Sequence, residues 1–246
     1  AFFGGLESIG FDRFIWTESR SDIFKEVDLA TFARFDLQLD FGIATASEGM
    51  LKIMAKTAHP HAYLKRTRET LLAASKHDLT HQVYLITNHP GERLHHVKET
   101  LSFFEGLIKE LPRTSLISLS PQPYRYYPGT ALSKDPEGFF QRYGTVVDDP
   151  FWWRRDVDMR SASACTRDTH LSPSEQGEID ETWATGVGRL NRILMERRSD
   201  RASRIIALRS AGYLDLHLLR ERWEREGRGP SLRGGERRPP RAESGP

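Results

Sequence analysis

The clearest pattern in the chain lies between residues 82 and 111. Val83 to Ile86 is a continuously apolar run rich in β-formers, typical of a strand buried on both faces. It ends at Asn88-His89-Pro90-Gly91, which cannot continue a strand. Apolar residues then recur every three or four positions from Leu94 to Leu111, as on one face of a helix. The segment predicts a strand, a polar turn and a helix, and in parallel α/β folds ligands bind at such turns.

The same order of strand, polar turn and helix repeats along the first 130 residues. The strands are predicted at 14–17, 37–43, 83–86 and 115–119. The helices are predicted at 29–35, with Asp28 as its cap, and at 48–56, 60–76 and 94–111. Each strand-to-strand step is long enough for a helical crossover, so we expect parallel strands. Four units cannot close an eight-stranded barrel, which leaves a small open α/β sheet or a portion of a barrel.

The second half of the chain has a different character. Ser172-Pro173-Ser174-Glu175 has the spacing of a capping box and predicts a helix from Pro173 to near Arg198, with another helical pattern from Asp200. The aromatic and basic segment 148–155 is interpreted as a loop packing over a barrel end. From Gly227 the chain is rich in Gly, Pro, Arg and Ser, which predicts disorder. We therefore divide the chain into a partial barrel at residues 1–135, a helical extension at residues 136–226 and a disordered basic tail at residues 227–246.

Composition narrows the class of protein. The 246 residues are 38% hydrophobic and 28% charged with a net charge of +2, as in a globular protein. No apolar run approaches the roughly 20 residues of a membrane helix, and no signal peptide is visible. The single cysteine, Cys165, excludes an internal disulfide framework and suits a reducing compartment, so we expect a cytoplasmic protein. The chain opens on Ala1 inside what reads as an element, and we expect a piece of a longer protein.

Five short motifs follow one another at the ends of the predicted elements. They are Trp16-Thr17-Glu18-Ser19-Arg20-Ser21-Asp22, Asp40-Phe41-Gly42-Ile43-Ala44-Thr45-Ala46-Ser47, Met50-Leu51-Lys52-Ile53-Met54-Ala55-Lys56, Asn88-His89-Pro90-Gly91-Glu92 and Tyr127-Pro128-Gly129-Thr130. In this order, over roughly residues 12 to 130, they resemble the second half of a radical S-adenosylmethionine (SAM) enzyme. The resemblance is greatest to members with an amino-terminal cobalamin-binding domain.

The resemblance implies a partial β/α barrel of six strands, of which this chain supplies the last four. Members of the family bind a 4Fe-4S cluster through a CxxxCxxC loop and cleave SAM reductively to a 5′-deoxyadenosyl radical. Some members instead carry out cobalamin-linked methyl transfer. The cofactors implied are thus SAM, a 4Fe-4S cluster and, through an upstream domain, cobalamin. The partners implied are a small-molecule substrate and an electron donor, with no membrane.

The chain departs from the family pattern in two places. It has no CxxxCxxC, since Cys165 stands alone beyond the partial barrel, and it lacks the glycine-rich strand end that grips the methionine amine. Both are expected upstream of Ala1, so this chain alone is expected to be inactive. Many relatives read Gly-Leu-Glu-Ser where this chain has Gly42-Ile43-Ala44-Thr45. The carboxylate is lost, and the hydroxyl of Thr45 or Ser47 is the candidate to replace it.

The resemblance also implies which residues bind SAM. An arginine fork matches a carboxylate with two hydrogen bonds, although an ion pair that holds the loop is the alternative for Arg20. The turn at Asn88, Pro90 and Gly91 would let the backbone approach the nucleoside, or be a plain strand-to-helix turn. Glu92 is interpreted as a first-turn helix carboxylate rather than a catalytic acid. No catalytic residue or metal ligand is assigned, and the SAM-binding candidates are Glu18, Arg20, Thr45, Ser47, Asn88, Pro90, Gly91 and Tyr127.

Three other interpretations compete with an enzyme fragment. The histidines at 77, 81, 89, 95 and 96 raise the idea of a metal hydrolase, but no HxH stands at a strand end among them. The arginine-rich tail could bind nucleic acid, but it has no interleaved aromatic residues after Trp223, and a solvated end is preferred. The third interpretation is a non-catalytic β/α module that binds a small molecule or a partner after losing the cluster loop.

Overall fold

The structure, a computed structural model, describes residues 2–11, 15–34, 37–77, 79, 82–154, 165–200 and 202–203. These residues belong to one compact unit, residues 1–206. The predicted second helix from Asp200, the disordered tail and His81 lie almost entirely outside the described residues. The domain boundaries at 135 and 226 remain predictions.

Four parallel strands form one sheet whose spatial order, β1-β2-β3-β4, is also their order in the chain. The strands are β1 (Ile15–Ser19), β2 (Leu37–Ala44), β3 (Gln82–Thr87) and β4 (Ser118–Pro123). Eight α-helices are described: α1 (Phe2–Ser8), α2 (Glu26–Arg34), α3 (Glu48–Ile53), α4 (Pro60–Lys76), α5 (Leu94–Glu110), α6 (Ala131–Lys134), α7 (Pro136–Tyr143) and α8 (Pro173–Arg197). A 3₁₀ turn covers Trp152–Arg154. The predicted α/β fold with parallel strand-helix units is confirmed.

The two faces of the sheet differ in character because side chains alternate along a strand. One row, which includes Leu39, Phe41, Val83, Leu85 and Leu119, is buried in a core formed with the helices. The opposite row is polar and half-buried or exposed over most of its length. We call this row the polar face. Its polar or partly polar members are Trp16, Glu18, Gln38, Asp40, Gln82, Tyr84, Ser118, Ser120 and Gln122, and Gly42 and Ile86 share the row.

The long helices begin and end where local chemistry predicts. Pro60 occupies the first helical position of α4, where its missing N–H is not needed. The capping box of α8 is formed, because the Ser172 hydroxyl accepts from the Glu175 amide and the Glu175 carboxylate accepts from the Ser172 amide. Helix α8 then packs on α5 and β4. Its Asn191 amide bonds both the N–H and the C=O of Leu119, at 2.9 Å each, so α8 partners the backbone of edge strand β4.

Four elements differ from the sequence predictions by two residues or more at one end. Strand β1 runs from Ile15 to Ser19 rather than from 14 to 17. Helix α2 begins at Glu26, and Asp28 lies inside its first turn, where its carboxylate accepts from the Lys25 amide at 2.8 Å. Helix α3 ends at Ile53, not at 56, because Ala55 takes a left-handed φ of 49°. Strand β4 runs from 118 to 123 rather than 115 to 119. Its two prolines, Pro121 and Pro123, are tolerated on an edge strand, where their missing N–H groups break no ladder.

Candidate functional site

The turn between β3 and α5 is held in a conformation that few residue types accept. Asn88 has a φ of 59° and Gly91 a φ of 86°, both in the left-handed region that favours Asn and Gly. A Cβ at position 91 would lie 2.8 Å from the ring of Tyr143 on α7. Glycine is therefore required here by both the backbone angle and the close approach of α7.

Glu92 follows the turn, and its buried side chain, 3% exposed, folds back against the backbone of the turn. Its Oε2 atom accepts from the Asn88 amide at 2.9 Å and from the indole Nε1 of Trp183 at 3.1 Å. Burial raises the pKa of Glu92 to about 7, against the lowering effect of these hydrogen bonds. Glu92 precedes the N-cap of α5, Arg93, so it lies outside the first turn in which it was predicted.

His89 also contributes to the structural support of the turn. The ring is 4% exposed and lies edge-on to Tyr124, with 4.4 Å between ring centroids. Its Nδ1 is 2.7 Å from the Pro90 carbonyl oxygen, and since a carbonyl can only accept, Nδ1 carries the proton. Burial lowers the pKa of His89 to about 4, so the neutral ring donates this bond at neutral pH.

A distant segment, Arg167-Asp168, covers the turn. The Arg167 guanidinium donates to Asn88 Oδ1 at 2.6 Å and pairs with Asp180 of α8 at 2.8 Å. Asp168 Oδ2 accepts from the Gly91 amide at 3.2 Å and from the Arg93 guanidinium at 2.6 Å. The amide groups predicted to face a nucleoside are thus engaged by the protein itself.

Arg20 makes an ion pair, the second of its two predicted roles. Its Nε and Nη2 atoms donate to the two oxygens of Asp22 at 2.9 Å each, and Nη1 donates to the Lys56 carbonyl at 3.1 Å. The bond from Arg20 lowers the pKa of Asp22. The fork that was expected to grip the SAM carboxylate therefore holds the loops after β1 and α3 together.

Thr45 and Ser47 point into the protein. Strand β2 ends with Ala44 at a φ of 72°, and this kink directs the next residues toward α5. Thr45 is 1% exposed and its hydroxyl lies 2.9 Å from that of Thr100. The Ser47 hydroxyl donates to Glu99 and caps α3 by accepting from the Met50 amide. Both hydroxyls serve helix packing in this structure.

Tyr127 stays accessible at the rim of the sheet, being 41% exposed. Its ring lies nearly perpendicular to that of Trp152, with 5.3 Å between centroids. Trp152 is buried, and its Nε1 donates to the Tyr126 carbonyl at 2.6 Å. Within segment 148–155, Trp152 therefore packs against the loop that follows β4.

Glu18 lies on the polar face next to Asp40, a buried acceptor of several hydrogen bonds that the sequence interpretation missed. Asp40 is fully buried, and its carboxylate accepts from Trp16 Nε1 at 2.8 Å, the Gln82 amide at 2.8 Å and the Tyr84 hydroxyl at 3.3 Å. Burial and the charge of Asp40 raise the pKa of Glu18. The alternation of β2 could have revealed Asp40, since it is the one carboxylate of the strand and lies between the apolar Leu39 and Phe41.

The eight candidates therefore lie in separate places. Thr45 and Ser47 are in contact, since the Ser47 amide donates to Thr45 Oγ1 at 3.1 Å. Asn88, Pro90 and Gly91 share one turn. Glu18 lies on the polar face and Tyr127 on the rim. The additional residues at the turn, Arg167, Asp168 and Trp183, come from segments 75 to 91 positions away, and no local pattern identifies them.

The described residues do not fit an iron–sulfur cluster. No group of three His, Cys, Asp or Glu side chains among them could hold a metal ion. Cys165 is buried, and burial raises the pKa of its thiol to about 11, so it does not offer a thiolate at neutral pH. The described histidines at 77, 89, 95 and 96 form no such group either.

Comparison with known proteins gives a distant likeness to a solved structure. No family model matches the sequence, and neither does any curated protein. The structure of the radical S-adenosylmethionine methyltransferase TsrM from Kitasatospora setae, with cobalamin and a 4Fe-4S cluster bound, aligns at TM-score 0.45 and 14% identity. The alignment covers 73% of this chain and 36% of that chain, so this chain spans about a third of that protein. At this level the function has to be argued from the site itself.

None of the helices in the described ranges is both long enough and apolar enough to cross a membrane.

Proposed function

We propose that this chain is the SAM- and substrate-facing half of a radical SAM barrel. The cluster loop and its glycine-rich neighbour would be supplied from outside these residues, as would any cobalamin domain. When bound, the cluster supplies the electron that cleaves SAM, and an electron donor would reduce it. A cytoplasmic location suits such a cluster, which needs a reducing compartment.

The observation that carries the proposal is the way the sheet is wound. A doubly wound α/β sheet changes direction along its strand order and carries helices on both faces. Here the order is β1-β2-β3-β4, the core with the helices lies on one face, and the other face is polar. A sheet wound in one direction with an outer layer of helices is a segment of a barrel wall. The polar face is then the barrel interior, where a polar ligand would bind.

The SAM-binding candidates fit this assignment to different degrees. Glu18 on the polar face and Tyr127 on the rim are accessible, so a carboxylate could accept from a ribose or an amine, and a ring could stack on adenine. The hydroxyls of Thr45 and Ser47 are buried in packing contacts. We therefore assign SAM contact to Glu18 and Tyr127, and a supporting role to the other candidates.

The test compares this chain with the longer product of its parent reading frame. Both are reconstituted anaerobically with iron and sulfide, and iron content, absorbance near 400 nm and release of 5′-deoxyadenosine from SAM are measured. The longer protein should bind a cluster and cleave SAM, whereas this chain should do neither. A longer protein that folds and binds no iron overturns the proposal.

Variants of the longer protein locate the contacts. Glu18→Gln and Tyr127→Ala should each weaken SAM binding, measured by calorimetry without reductant, about tenfold. Thr45→Ala and Ser47→Ala should lower the melting temperature instead. The exposed Glu137 on α7 provides the matched control, and Glu137→Gln should change neither quantity.

A second candidate is a binding module without radical chemistry. It is favoured by the absence of a cluster ligand set among the described residues and by the engagement of Asn88 and Gly91 with Arg167 and Asp168. This alternative predicts small-molecule binding by the present chain alone, with no iron in either protein.

A further inference from the structure

The polar face carries two neighbouring carboxylates. Glu18 of β1 and Asp40 of β2 are register partners, so they lie on adjacent strands about 4.8 Å apart at the backbone and on the same face. The Tyr84 hydroxyl donates to Asp40 Oδ2 at 3.3 Å, and Tyr84 also lowers the pKa of Glu18, against the raising effects of burial and of Asp40. Tyr84 is a neutral hydrogen-bond donor here, so it does not compensate the negative charge of the two acidic groups.

The hydrogen-bonding needs of Asp40 are met within the protein, whereas the carboxylate of Glu18 remains accessible to a ligand. Asp40 is fully buried and takes hydrogen bonds from Trp16, Gln38, Gln82 and Tyr84. Glu18 is exposed. Among the described residues, neither carboxylate forms an ion pair, and the polar face contains no lysine or arginine. The negative charge of the pair is therefore not compensated by a described cation, and it would attract a positively charged group that binds on this face.

The aromatic ring beside the pair is both exposed and fixed. Trp16 lies two residues before Glu18 on the same face and is 54% exposed. Its Nε1 donates to Asp40 at 2.8 Å, which fixes the indole although more than half of the residue is open to solvent. An indole face attracts cations through its quadrupole, and the attraction adds to that of a neighbouring carboxylate.

We propose that the polar face binds an organic cation, an alkylammonium, guanidinium or sulfonium group, between the carboxylate of Glu18 and the ring of Trp16. The proposal deepens the proposed function and rests on it for the assignment of this face to the barrel interior. Charge complementarity selects the ligand, since the site offers two negative charges, an aromatic surface and no described cation. The charge of a bound cation would also oppose the effect of Asp40, which contributes to the raised pKa of Glu18.

The test uses three probes that share a phenyl ring and differ in charge: benzylammonium is positive, benzyl alcohol is neutral and benzoate is negative. They are titrated at pH 7.5 into the full chain labelled with ¹⁵N-tryptophan, and the indole N–H signal of Trp16 is assigned with Trp16→Phe. Benzylammonium should shift this signal at concentrations at least tenfold lower than the other two probes. Glu18→Gln should weaken benzylammonium binding at least tenfold, while Glu137→Gln should leave it unchanged.

Equal binding of benzyl alcohol and benzylammonium overturns the proposal, and so does benzylammonium binding that survives Glu18→Gln. Failure of the proposed function is distinguishable, because these titrations require neither a cluster nor cleavage of SAM.

Two sources could bring such a cation, the substrate and the sulfonium of SAM. A competition separates them: SAM and its neutral thioether analogue, 5′-methylthioadenosine, are added to the benzylammonium complex of the longer, cluster-reconstituted protein, at concentrations that calorimetry shows to saturate SAM binding. Displacement by SAM alone assigns the cation to the cofactor, and retention of benzylammonium with SAM present assigns it to the substrate. Displacement by the neutral thioether at the same concentration contradicts a site selected by charge.

Discussion

The buried carboxylate of Glu92 should make the stability of this protein depend on pH in a way that one substitution removes. Both of its described donors, the Asn88 amide and Trp183 Nε1, meet the same oxygen, Oε2. In Glu92→Gln the amide oxygen can occupy that position and accept both bonds. The substitution therefore removes the ability to ionise while it keeps the shape and the two hydrogen bonds.

The magnitude follows from the pKa of Glu92, which is raised from 4.5 to about 7. A group whose pKa is higher in the folded than in the unfolded state contributes stability that is fully present below the unfolded pKa and is lost as the pH rises through the folded pKa. Each pKa unit corresponds to about 1.4 kcal/mol, so the loss between pH 4.5 and pH 7 is about 3 kcal/mol. Above pH 7 the ionised Glu92 persists at that cost.

The assay is urea denaturation of both proteins between pH 5 and pH 8.5. The free energies of unfolding should differ by less than about 1 kcal/mol at pH 5, and Glu92→Gln should be about 3 kcal/mol more stable at pH 8.5. Taking the difference cancels the titration of groups that do not interact with Glu92, and Glu137→Gln should show a small difference that does not change over this pH range. If Glu92→Gln is less stable than the wild type at pH 8.5, the carboxylate is ionised and favourably bound, and the reasoning fails.

Three further predictions concern the same turn and are measured by urea denaturation. The wild type should lose about 3 kcal/mol of stability as the pH falls from 6.5 to 4, because the buried ring of His89 is stable only when neutral, and His89→Phe should remove this loss. A stability difference between the two proteins that does not change with pH would contradict the buried neutral state of His89. Gly91→Ala should cost at least 2 kcal/mol more than Gly129→Ala, since both residues have a φ near 85° but only position 91 approaches Tyr143; equal costs would show that the ring moves freely aside. Asp168→Ala should cost about 2 kcal/mol because it leaves the Gly91 amide without its partner, and a loss under 0.5 kcal/mol would show that the covering segment is not needed.

The sequence predicted the repeating region of the fold well, because local patterns determine it. Helix α4 has its predicted bounds, and the capping box starts α8 where Ser172 and Glu175 indicated. The bounds that differed depend on single backbone contacts, such as the bond from the Lys25 amide to Asp28. Periodicity reports which face of an element is buried, and it does not resolve such contacts.

The site was less predictable, because its chemistry depends on distant partners. Sequence patterns located the turn at Asn88 to Gly91, and the resemblance pointed to Arg20. They could not show that Arg20 would be engaged by Asp22, or that Arg167 would bond Asn88 from 79 positions away. Whether a polar group faces a ligand or the protein is decided by tertiary contacts, which leave no local signature.

The bond between Trp183 and Glu92 has a consequence for the order of events during synthesis. The two residues are 91 positions apart, so at about 5 to 20 residues per second the ribosome adds Trp183 roughly 5 to 18 seconds after Glu92. Until then the sheet can form with Glu92 hydrated, as an ordinary acid. Arrival of α8 buries the carboxylate and raises its pKa to about 7, so at pH 7 about half of the nascent chains take up a proton here, and they do so only when the last described long helix has docked.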